Sequence, residues 1–396
     1  MKIMFDEKVQ KIKDAGLYRQ MKYMQSPQGA RVRIAGRKVL MLSSNSYLGL
    51  CADERLQQAA RDAMARYGVG SGGSRLTTGS YDIHRKLEAD IAAFKKTEAA
   101  LVFNTGYMAN VGVISAVADP SWIIFSDRLN HASIIDGCRL SGAKTVVYEH
   151  CDPVDLMRQL QSHPGKKRLI ITDGLFSVDG DIAPLPELVE IAAQNRALLM
   201  VDEAHATGVL GKSGGGVADH FGITCGIDIT VGTCSKALAS EGGFVAGSRA
   251  MIDYLANTAR SFIFSTALSP ATIAVSQAAL AIVRAEPGRR ATLMEHAWWF
   301  RQSLRAAGFD LADHPSPILS VVLGSPDLAV SFSEALMKKN IFVSAIRPPT
   351  VPSGTSRLRI NLMATHTRED LERALCCIKE IAGDLGVRRK EQEIHA

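Results

Sequence analysis

The sequence predicts an α/β protein: a large domain with a mostly parallel sheet flanked by helices, followed by a smaller C-terminal α+β domain. Short apolar runs alternate with helical patterns through the first 280 residues, which is typical of βαβ units. A chain of 396 residues is long enough for a large core and a second, smaller one. The alternation stops near residues 284–288, and a long helix is predicted from Ala291. We therefore expect domains at 1–42, 43–286 and 287–396.

The N-terminal 42 residues predict a helical arm and a small hairpin. Phe5, Val9 and Ile12 recur at helical spacing, and residues 31–42 predict two short strands around Gly36. Two helices follow, at 56–67 and 83–94, on either side of a glycine-rich segment. The arm is expected to pack on the body of the protein or on a partner subunit.

The strands of the large domain are predicted from short, continuously apolar runs, as expected for a sheet that is covered on both faces. They are 99–103, 122–125, 145–148, 169–171, 197–201 and 227–231. The small domain is predicted to contain strands 318–323, 341–345 and 357–362. Ser325-Pro326 and the segment from Thr367 to Asp370 predict two of its helix starts.

Composition excludes several classes of protein. The net charge of +6 is mild and forms no long basic run, so it suits an acidic small substrate or an acidic carrier better than nucleic acid. The seven cysteines contain no CxxC pair, which predicts neither a metal site nor a disulfide framework and fits a reducing cytoplasm. The charged N-terminus and the lack of a membrane-length apolar run predict neither secretion nor membrane binding.

Two predicted strands are followed by residues with matching chemistry. Asp202 and His205 come directly after strand 197–201, and Lys236 follows strand 227–231. Ligands of parallel sheets bind beyond the carboxyl ends of the strands. Pyridoxal 5'-phosphate (PLP) needs a carboxylate at its ring nitrogen and a lysine that forms a Schiff base. Asp202 and Lys236 therefore predict a PLP site. The alternative, a solvated surface lysine, is disfavoured because Lys236 follows a buried strand.

Further candidates follow other strands at the same edge of the sheet. Gly106 and Tyr107 open a helix after strand 99–103, which predicts a phosphate-binding helix N-terminus. His131 and Ser177 each follow a strand, although alone they would be a packed histidine and a turn serine. Arg359, on a late strand, is a candidate carboxylate ligand or simply an exposed arginine.

Three other motifs fail in their context. The DEAH motif at 202–205 also occurs in helicases, but Gly211-Lys212-Ser213 lacks the upstream glycine of a P-loop. The GxSxG match at 211–215 is not tightly flanked by a strand and a helix. The GxGxxG match at 68–73 follows a helix rather than a strand, so we interpret it as an active-site or subunit-boundary loop.

The motifs in chain order resemble those of the α-oxoamine synthases, PLP enzymes of aminotransferase fold type I. They are SNSYLGL, GSGGSRLTTG, NTGYMANVG, DRLNHASIIDG, TDGLFSVDGD, VDEAHATGVLG, GTCSKA and AIRPPTVPSGTSRLRI. The resemblance runs from about residue 15 to 370. It implies a homodimer with shared active sites, and a reaction that joins an amino acid to an acyl thioester with loss of CO₂.

The resemblance also implies a role for each matching residue. Four residues would be catalytic: Lys236 as the Schiff-base lysine and base, Asp202 at the ring nitrogen, His131 stacked on the ring, and His205, with Ser177, near the phenolic oxygen. Five would hold the phosphate: Gly106, Tyr107 and Thr233, with Ser265 and Thr266 from the other subunit. Four would bind substrates: Asn45 and Arg359 the amino-acid carboxylate, and Arg19 and Thr350 the acyl group.

The segments AIRPPTVP and SGGSRLTTG favour the branch that condenses L-alanine with a pimeloyl thioester in biotin biosynthesis. A sister synthase such as glycine C-acetyltransferase and a non-catalytic dimer partner are the alternatives, although the latter would be expected to lack Lys236. The acyl group could arrive on coenzyme A or on a carrier protein. Ser46 and Asp173 depart from the common motifs and, since neither is expected to contact the ring, should affect substrate detail rather than chemistry.

Overall fold

A computed structural model describes residues 2–164, 167–312 and 314–387 of the chain. The chain forms two compact units. Unit 1 contains Met1–Gly49, Val178–Gly180 and Thr292–Ala396, and unit 2 contains Leu50–Ser177 and Asp181–Ala291. The division at residues 43 and 287 that the sequence suggested stays a prediction.

Unit 1 begins with a helix and a hairpin. Helix α1 (Lys2–Asp14) is followed by strands β1 (Arg31–Ile34) and β2 (Arg37–Met41), which pair antiparallel. Ala35 and Gly36 form the turn with φ of 48° and 75°, a backbone region that favours glycine. The hairpin predicted around Gly36 is therefore confirmed.

Unit 2 contains the alternating helices and strands. After a single 3₁₀ turn (Leu50–Ala52), its elements are α2 (Glu54–Tyr67), α3 (Asp82–Lys95), β3 (Ala99–Phe103), α4 (Gly106–Val117), β4 (Trp122–Asp127), α5 (Ala132–Ser141), β5 (Lys144–Tyr148), α6 (Pro153–Gln161), β6 (Lys167–Asp173), α7 (Leu185–Gln194), β7 (Leu198–Asp202), α8 (Val217–Phe221), β8 (Ile229–Thr233), β9 (Gly243–Gly247), α9 (Arg249–Thr258), α10 (Arg260–Ile263) and α11 (Pro270–Ala285). The six predicted strands are all present, with ends that differ by a few residues.

The strands of unit 2 form one sheet of seven strands in the order β3-β9-β8-β7-β6-β4-β5. Strands β4 to β8 pair parallel, whereas β9 pairs antiparallel with both β3 and β8. The side chains of Leu169, Ile170 and Ile171 on β6 are fully buried, because helices cover both faces of a parallel sheet. The carboxyl ends of β4, β6, β7 and β8 consequently meet at one edge.

The chain returns to unit 1 within a long helix. The remaining elements are α12 (Pro287–Ala306), β10 (Ile318–Gly324), α13 (Pro326–Lys338), β11 (Ile341–Phe342), β12 (Ser344–Ile346), β13 (Ser356–Asn361) and α14 (Arg368–Asp384). Helix α12 starts four residues earlier than the sequence suggested. The Ser325 side chain caps α13, and Thr367 and Asp370 form the expected capping box of α14.

One predicted strand of unit 1 is wrong. Residues 341–345 do not form a single strand, because the chain passes from one sheet to another at Val343. Strand β11 pairs parallel with β2 in the sheet β1-β2-β11, whereas β12 pairs antiparallel with β13 in the sheet β10-β13-β12. Across the described ranges, no helix is long and apolar enough to cross a membrane.

Gly243, the first residue of β9, packs directly on the start of α4. A Cβ atom built there would lie 2.5 Å from the Thr105 carbonyl oxygen and 2.6 Å from the Gly106 backbone nitrogen. We therefore expect Gly243→Ala to reduce the free energy of unfolding by about 1–3 kcal/mol, since backbone atoms must move to admit the methyl group. Urea denaturation measures this change.

Gly288→Ala is the matched control, because nothing lies within 4 Å of a Cβ built in that helical position. It should leave the denaturation midpoint unchanged or raise it slightly, since alanine favours helices. An equal loss of unfolding free energy in the two variants would contradict the close approach of β9 to α4.

Candidate active site

A cavity of about 180 Å³ lies in unit 2 at the edge where the parallel strands end. Eight of the ten residues predicted to bind the cofactor line it: Gly106, Tyr107, His131, Ser177, Asp202, His205, Thr233 and Lys236. Six further lining residues are Thr105, Asn110, Ser133, Asp173, Ala204 and Ser235. The sheet thus brings together side chains that are up to 131 positions apart in the chain, as Thr105 and Lys236 show.

Asp202 is the last residue of β7 and is almost fully buried. Its Oδ2 atom accepts a hydrogen bond of 2.6 Å from Asn110 Nδ2, and its Oδ1 atom accepts one of 2.8 Å from the Ala204 backbone. Two donors therefore fix the carboxylate at the wall of the cavity. The neighbouring Glu203 has a structural role, because its carboxylate caps the N-terminus of α8 at Val217.

Asn110 also connects Asp202 to His131. Its Nδ2 atom lies 2.9 Å from Ser133 Oγ, which in turn lies 2.7 Å from His131 Nδ1. These bonds form one polar chain from the aspartate to the imidazole across the cavity wall. Asn110 was not among the predicted site residues, because an asparagine inside an apolar helix forms no recognisable motif. Its position one helical turn after Gly106 is the sequence feature that could have indicated that it faces the site.

His131 caps helix α5 and is solvent-accessible in this chain, with its ring at the wall of the cavity. Desolvation of the ring by the surrounding protein lowers its pKa below the usual value; Asp202 opposes this shift, and the positive charge of Lys236 adds to it. The imidazole is therefore uncharged at neutral pH, with one nitrogen held by Ser133. A neutral ring at this wall is suited to stacking on an aromatic ligand.

Asp173, which the resemblance placed away from the ring, lines the same cavity. It is the last residue of β6 and pairs in register with Asp202. Its Oδ2 atom accepts a 2.9 Å hydrogen bond from the backbone of His131. Burial, followed by the nearby Asp202 charge, raises the pKa of Asp173 well above its usual range. The departure at Asp173 therefore lies at the cavity wall, and whether it affects substrate detail rather than chemistry stays a prediction.

Lys236 lies on the turn after β8, and its side chain reaches the cavity. The turn is held by Thr233, whose hydroxyl donates to the Gly242 carbonyl at 2.7 Å and lies 2.8 Å from Ser235 Oγ. Gly106 faces Thr233 across the entrance to α4, where a Cβ atom would lie 3.5 Å from the Thr233 side chain. The start of α4 and the β8 turn therefore form two sides of one small polar space.

Ser265 and Thr266 are the two predicted phosphate ligands that do not line this cavity. They follow α10, where Thr266 forms a bridge with Ser74 of the glycine-rich segment, and its carbonyl accepts from Asn104 at 2.6 Å. The Thr266 side chain is exposed, and the neighbouring Phe264 is 71% exposed. Their predicted role requires a second subunit and stays a prediction.

The predicted substrate residues all belong to unit 1. Asn45 Oδ1 accepts from Arg359 at 3.1 Å and from Asn361 at 2.9 Å. Burial lowers the pKa of the Arg359 guanidinium from its usual value, and contact with Tyr47 opposes that shift. Asn45 and Arg359, 314 positions apart, therefore form one polar cluster.

Arg19 and Thr350 lie on two segments of unit 1 that touch each other. Arg19 donates to the Pro348 carbonyl at 3.4 Å, and Arg347 donates to the Tyr18 carbonyl at 2.6 Å. The Thr350 backbone closes a turn onto Arg347 at 3.1 Å. The structure therefore places the two predicted acyl-group residues near one another.

Three potential metal ligands lie together in the described part of unit 2: Asp127, His150 and Cys151. The two His150 ring nitrogens already bond to carboxylates, Nδ1 to Asp127 at 2.9 Å and Nε2 to Asp181. An imidazole that donates from both nitrogens has no lone pair for a metal. This group is an ion-paired histidine.

The seven-stranded sheet, in which β9 is antiparallel to both of its neighbours, has a cavity at its carboxyl edge. This architecture matches the aminotransferase fold type I that the sequence predicts. The aminotransferase class I and II pattern matches residues 37–378. The chain is 52% identical to an 8-amino-7-oxononanoate synthase of Lysinibacillus sphaericus, covering 97% of this chain and 99% of that protein. It is 49% identical to the enzyme of that name from Geobacter sulfurreducens, covering 96% and 98%.

Two solved enzyme structures also resemble this chain. A serine palmitoyltransferase variant from S. paucimobilis, solved with a bound PLP–myriocin aldimine, superposes with a TM-score of 0.92 at 31% identity, covering 97% of this chain and 98% of that one. An 8-amino-7-oxononanoate synthase from Francisella tularensis gives 0.76 at 31% identity, covering 87% and 98%. The chain belongs to the α-oxoamine synthase branch of the aminotransferase class I and II family. The expected fold type I is confirmed.

The charges around His131 give a prediction with a definite sign. In the protein without cofactor, Lys236→Ala should raise the His131 pKa, because a nearby positive charge disfavours the imidazolium. Asp202→Asn should lower it, because the carboxylate favours the imidazolium. NMR titration of labelled histidine measures both shifts, and shifts of the same sign would contradict the shared cavity.

Proposed function

We propose that this protein is a PLP-dependent acyltransferase that condenses L-alanine with a pimeloyl thioester, releasing CO₂, to give 8-amino-7-oxononanoate for biotin biosynthesis. The observation that carries the proposal is the joint lining of one cavity by Asp202 and Lys236, in a chain about half identical to several 8-amino-7-oxononanoate synthases over nearly its full length. We also propose that residues 43–286 form the large cofactor-binding domain, preceded by an N-terminal arm and hairpin (1–42) and followed by a small C-terminal domain (287–396).

The donor set of the cavity fits PLP. The ring nitrogen requires a carboxylate, and Asp202 is buried, fixed by two donors and exposed to the cavity. The phosphate requires hydrogen-bond donors, which the first turn of α4 at Gly106 and Tyr107 offers together with Thr233. Lys236 would supply the covalent link, and Ser177 and His205 would bind the phenolic oxygen.

Each residue would then have a separate chemical role. Bound PLP supplies an electron sink that stabilises negative charge at the amino-acid Cα. The Lys236 amine would remove the Cα proton in its uncharged form. The neutral His131 ring would cover the cofactor face and exclude water. Asn45 and Arg359 would bind the substrate carboxylate, and Arg19 and Thr350 the acyl chain.

We further propose a homodimer in which Ser265 and Thr266 complete the phosphate site of the partner subunit. The support is the exposure of Thr266 and of the adjacent Phe264, together with the absence of both predicted ligands from the lining of their own chain's cavity. All seven cysteines are free thiols, which supports a reducing cytoplasm. The acyl carrier can be coenzyme A or a carrier protein.

Lys236→Ala should abolish the visible absorbance of bound PLP and reduce turnover at least about 100-fold, since it removes both the covalent link and the base. Thiol release is measured with L-alanine or glycine against pimeloyl or acetyl thioesters. Release with L-alanine and pimeloyl thioester supports the proposal. Release only with glycine and acetyl thioester would instead identify a glycine C-acetyltransferase, and no PLP binding would indicate a non-catalytic partner.

Arg359→Lys should raise the KM for L-alanine at least about tenfold and leave the KM of the acyl thioester unchanged. Lysine keeps the charge but loses the two-pronged contact with a carboxylate, which costs about 1.5–3 kcal/mol. Arg373→Lys is the control, because Arg373 is exposed on α14, where its guanidinium donates to the Lys339 carbonyl. A rise confined to the acyl KM would refute the assignment of Arg359.

A further inference from the structure

His150 lies in the turn two residues after the edge strand β5, outside the residues that line the cavity. Its Nδ1 atom is 2.9 Å from Asp127 Oδ1, and its Nε2 atom bonds to Asp181 Oδ2. Asp127 ends strand β4, and Asp181 lies on the loop between β6 and α7. The imidazole therefore bridges a sheet strand to that loop.

The loop that His150 holds carries Ser177 into the cavity. The Phe176 backbone donates to the Asp181 carbonyl at 2.9 Å, and Leu175 forms a bridge with Ile182. Asp181 is thus paired with the residue that directly precedes Ser177. The Phe176 ring also contacts the His150 ring edge to face, with centroids 4.4 Å apart. The position of Asp181 therefore sets the position of the paired residues Leu175 and Phe176, which directly precede Ser177.

The charge of His150 is what allows the bridge. Asp127 and Asp181 are 3% and 6% exposed, and two buried carboxylates would repel each other without a cation between them. Burial of the imidazole lowers its pKa, but the hydrogen bonds to Asp127 and Asp181 outweigh burial and raise it to about 12. Other titratable groups also face the bridge, namely Cys151, with Sγ 3.8 Å from Asp181 Oδ2, and Tyr148 and Asp173, which interact with the charge of Asp127. The imidazolium therefore persists throughout the neutral range.

We propose that His150 is a positioning residue, which acts by bridging Asp181 to Asp127 and so holds Ser177 against the phenolic side of the cofactor. The inference rests on the proposed PLP function. It gives a role to a charged cluster that neither binds the cofactor nor belongs to the hydrophobic core.

A double-mutant cycle tests whether His150 acts through Ser177. PLP affinity is measured in the apoprotein by titration of the visible absorbance and circular dichroism, for wild type, His150→Gln, Ser177→Ala and the double variant. We expect His150→Gln to weaken PLP binding about tenfold, because glutamine keeps the size but not the charge. In the Ser177→Ala background the same change should have little further effect.

The proposal is overturned if the losses of PLP affinity in the two single variants add up in the double variant. It is also overturned if His150→Gln lowers only the urea midpoint of the apoprotein and leaves PLP affinity unchanged, because His150 would then be purely structural. His220→Gln, at an exposed histidine of α8, is the matched control and should behave as wild type. If His150→Gln does not fold, Asp181→Asn replaces it in the same cycle, since it removes one charge of the bridge and keeps its shape. A wild type that binds no PLP would instead refute the proposed function itself.

Discussion

Four neighbouring parallel strands end in polar residues; three of these residues line the cavity, and the fourth, Asp127, bonds to His150. Strands β4, β6 and β7 end at Asp127, Asp173 and Asp202, and β8 ends at Thr233. All four residues are nearly buried, and a buried carboxylate is costly unless donors or a counter-charge satisfy it. Each aspartate accordingly has its own partners, namely His150 and the backbone of Leu129 and Cys151 for Asp127, the backbone of His131 for Asp173, and Asn110 with Ala204 for Asp202.

Chain topology also brings distant segments of unit 1 together. Strand β11 adds to β2, so residues near 41 and near 342 become neighbours. The same closure brings Asn45 to Arg359 and Tyr18 to Arg347. The Asn45–Arg359 pair therefore depends on long-range strand pairing, whereas the cavity of unit 2 depends on the common direction of adjacent strands.

Much of this could be predicted from the sequence, because the physical signals are local. Buried parallel strands produce continuous apolar runs, and the polar residue after each run marks the binding edge, so Asp202, His131 and Lys236 could be found without a structure. Strand β9 could not, since its GFVAG sequence is rich in glycine and is a strand only because β3 and β8 pair with it on both sides. Asn110 could not be predicted because its role depends on tertiary contacts. The break at Val343 could not be predicted because the segments before and after it are both apolar and read as one strand.

The reversed strand β9 has a consequence for the synthesis of the chain. Phe103 of β3 pairs with Gly243 of β9, and β3 has no other strand neighbour in the described sheet. About 140 residues must therefore leave the ribosome before β3 is paired, which takes roughly 7–30 s at ordinary translation rates. During that interval the AALVF segment is an apolar, unpaired edge, so nascent chains of this length present an aggregation-prone surface that a chaperone would need to cover.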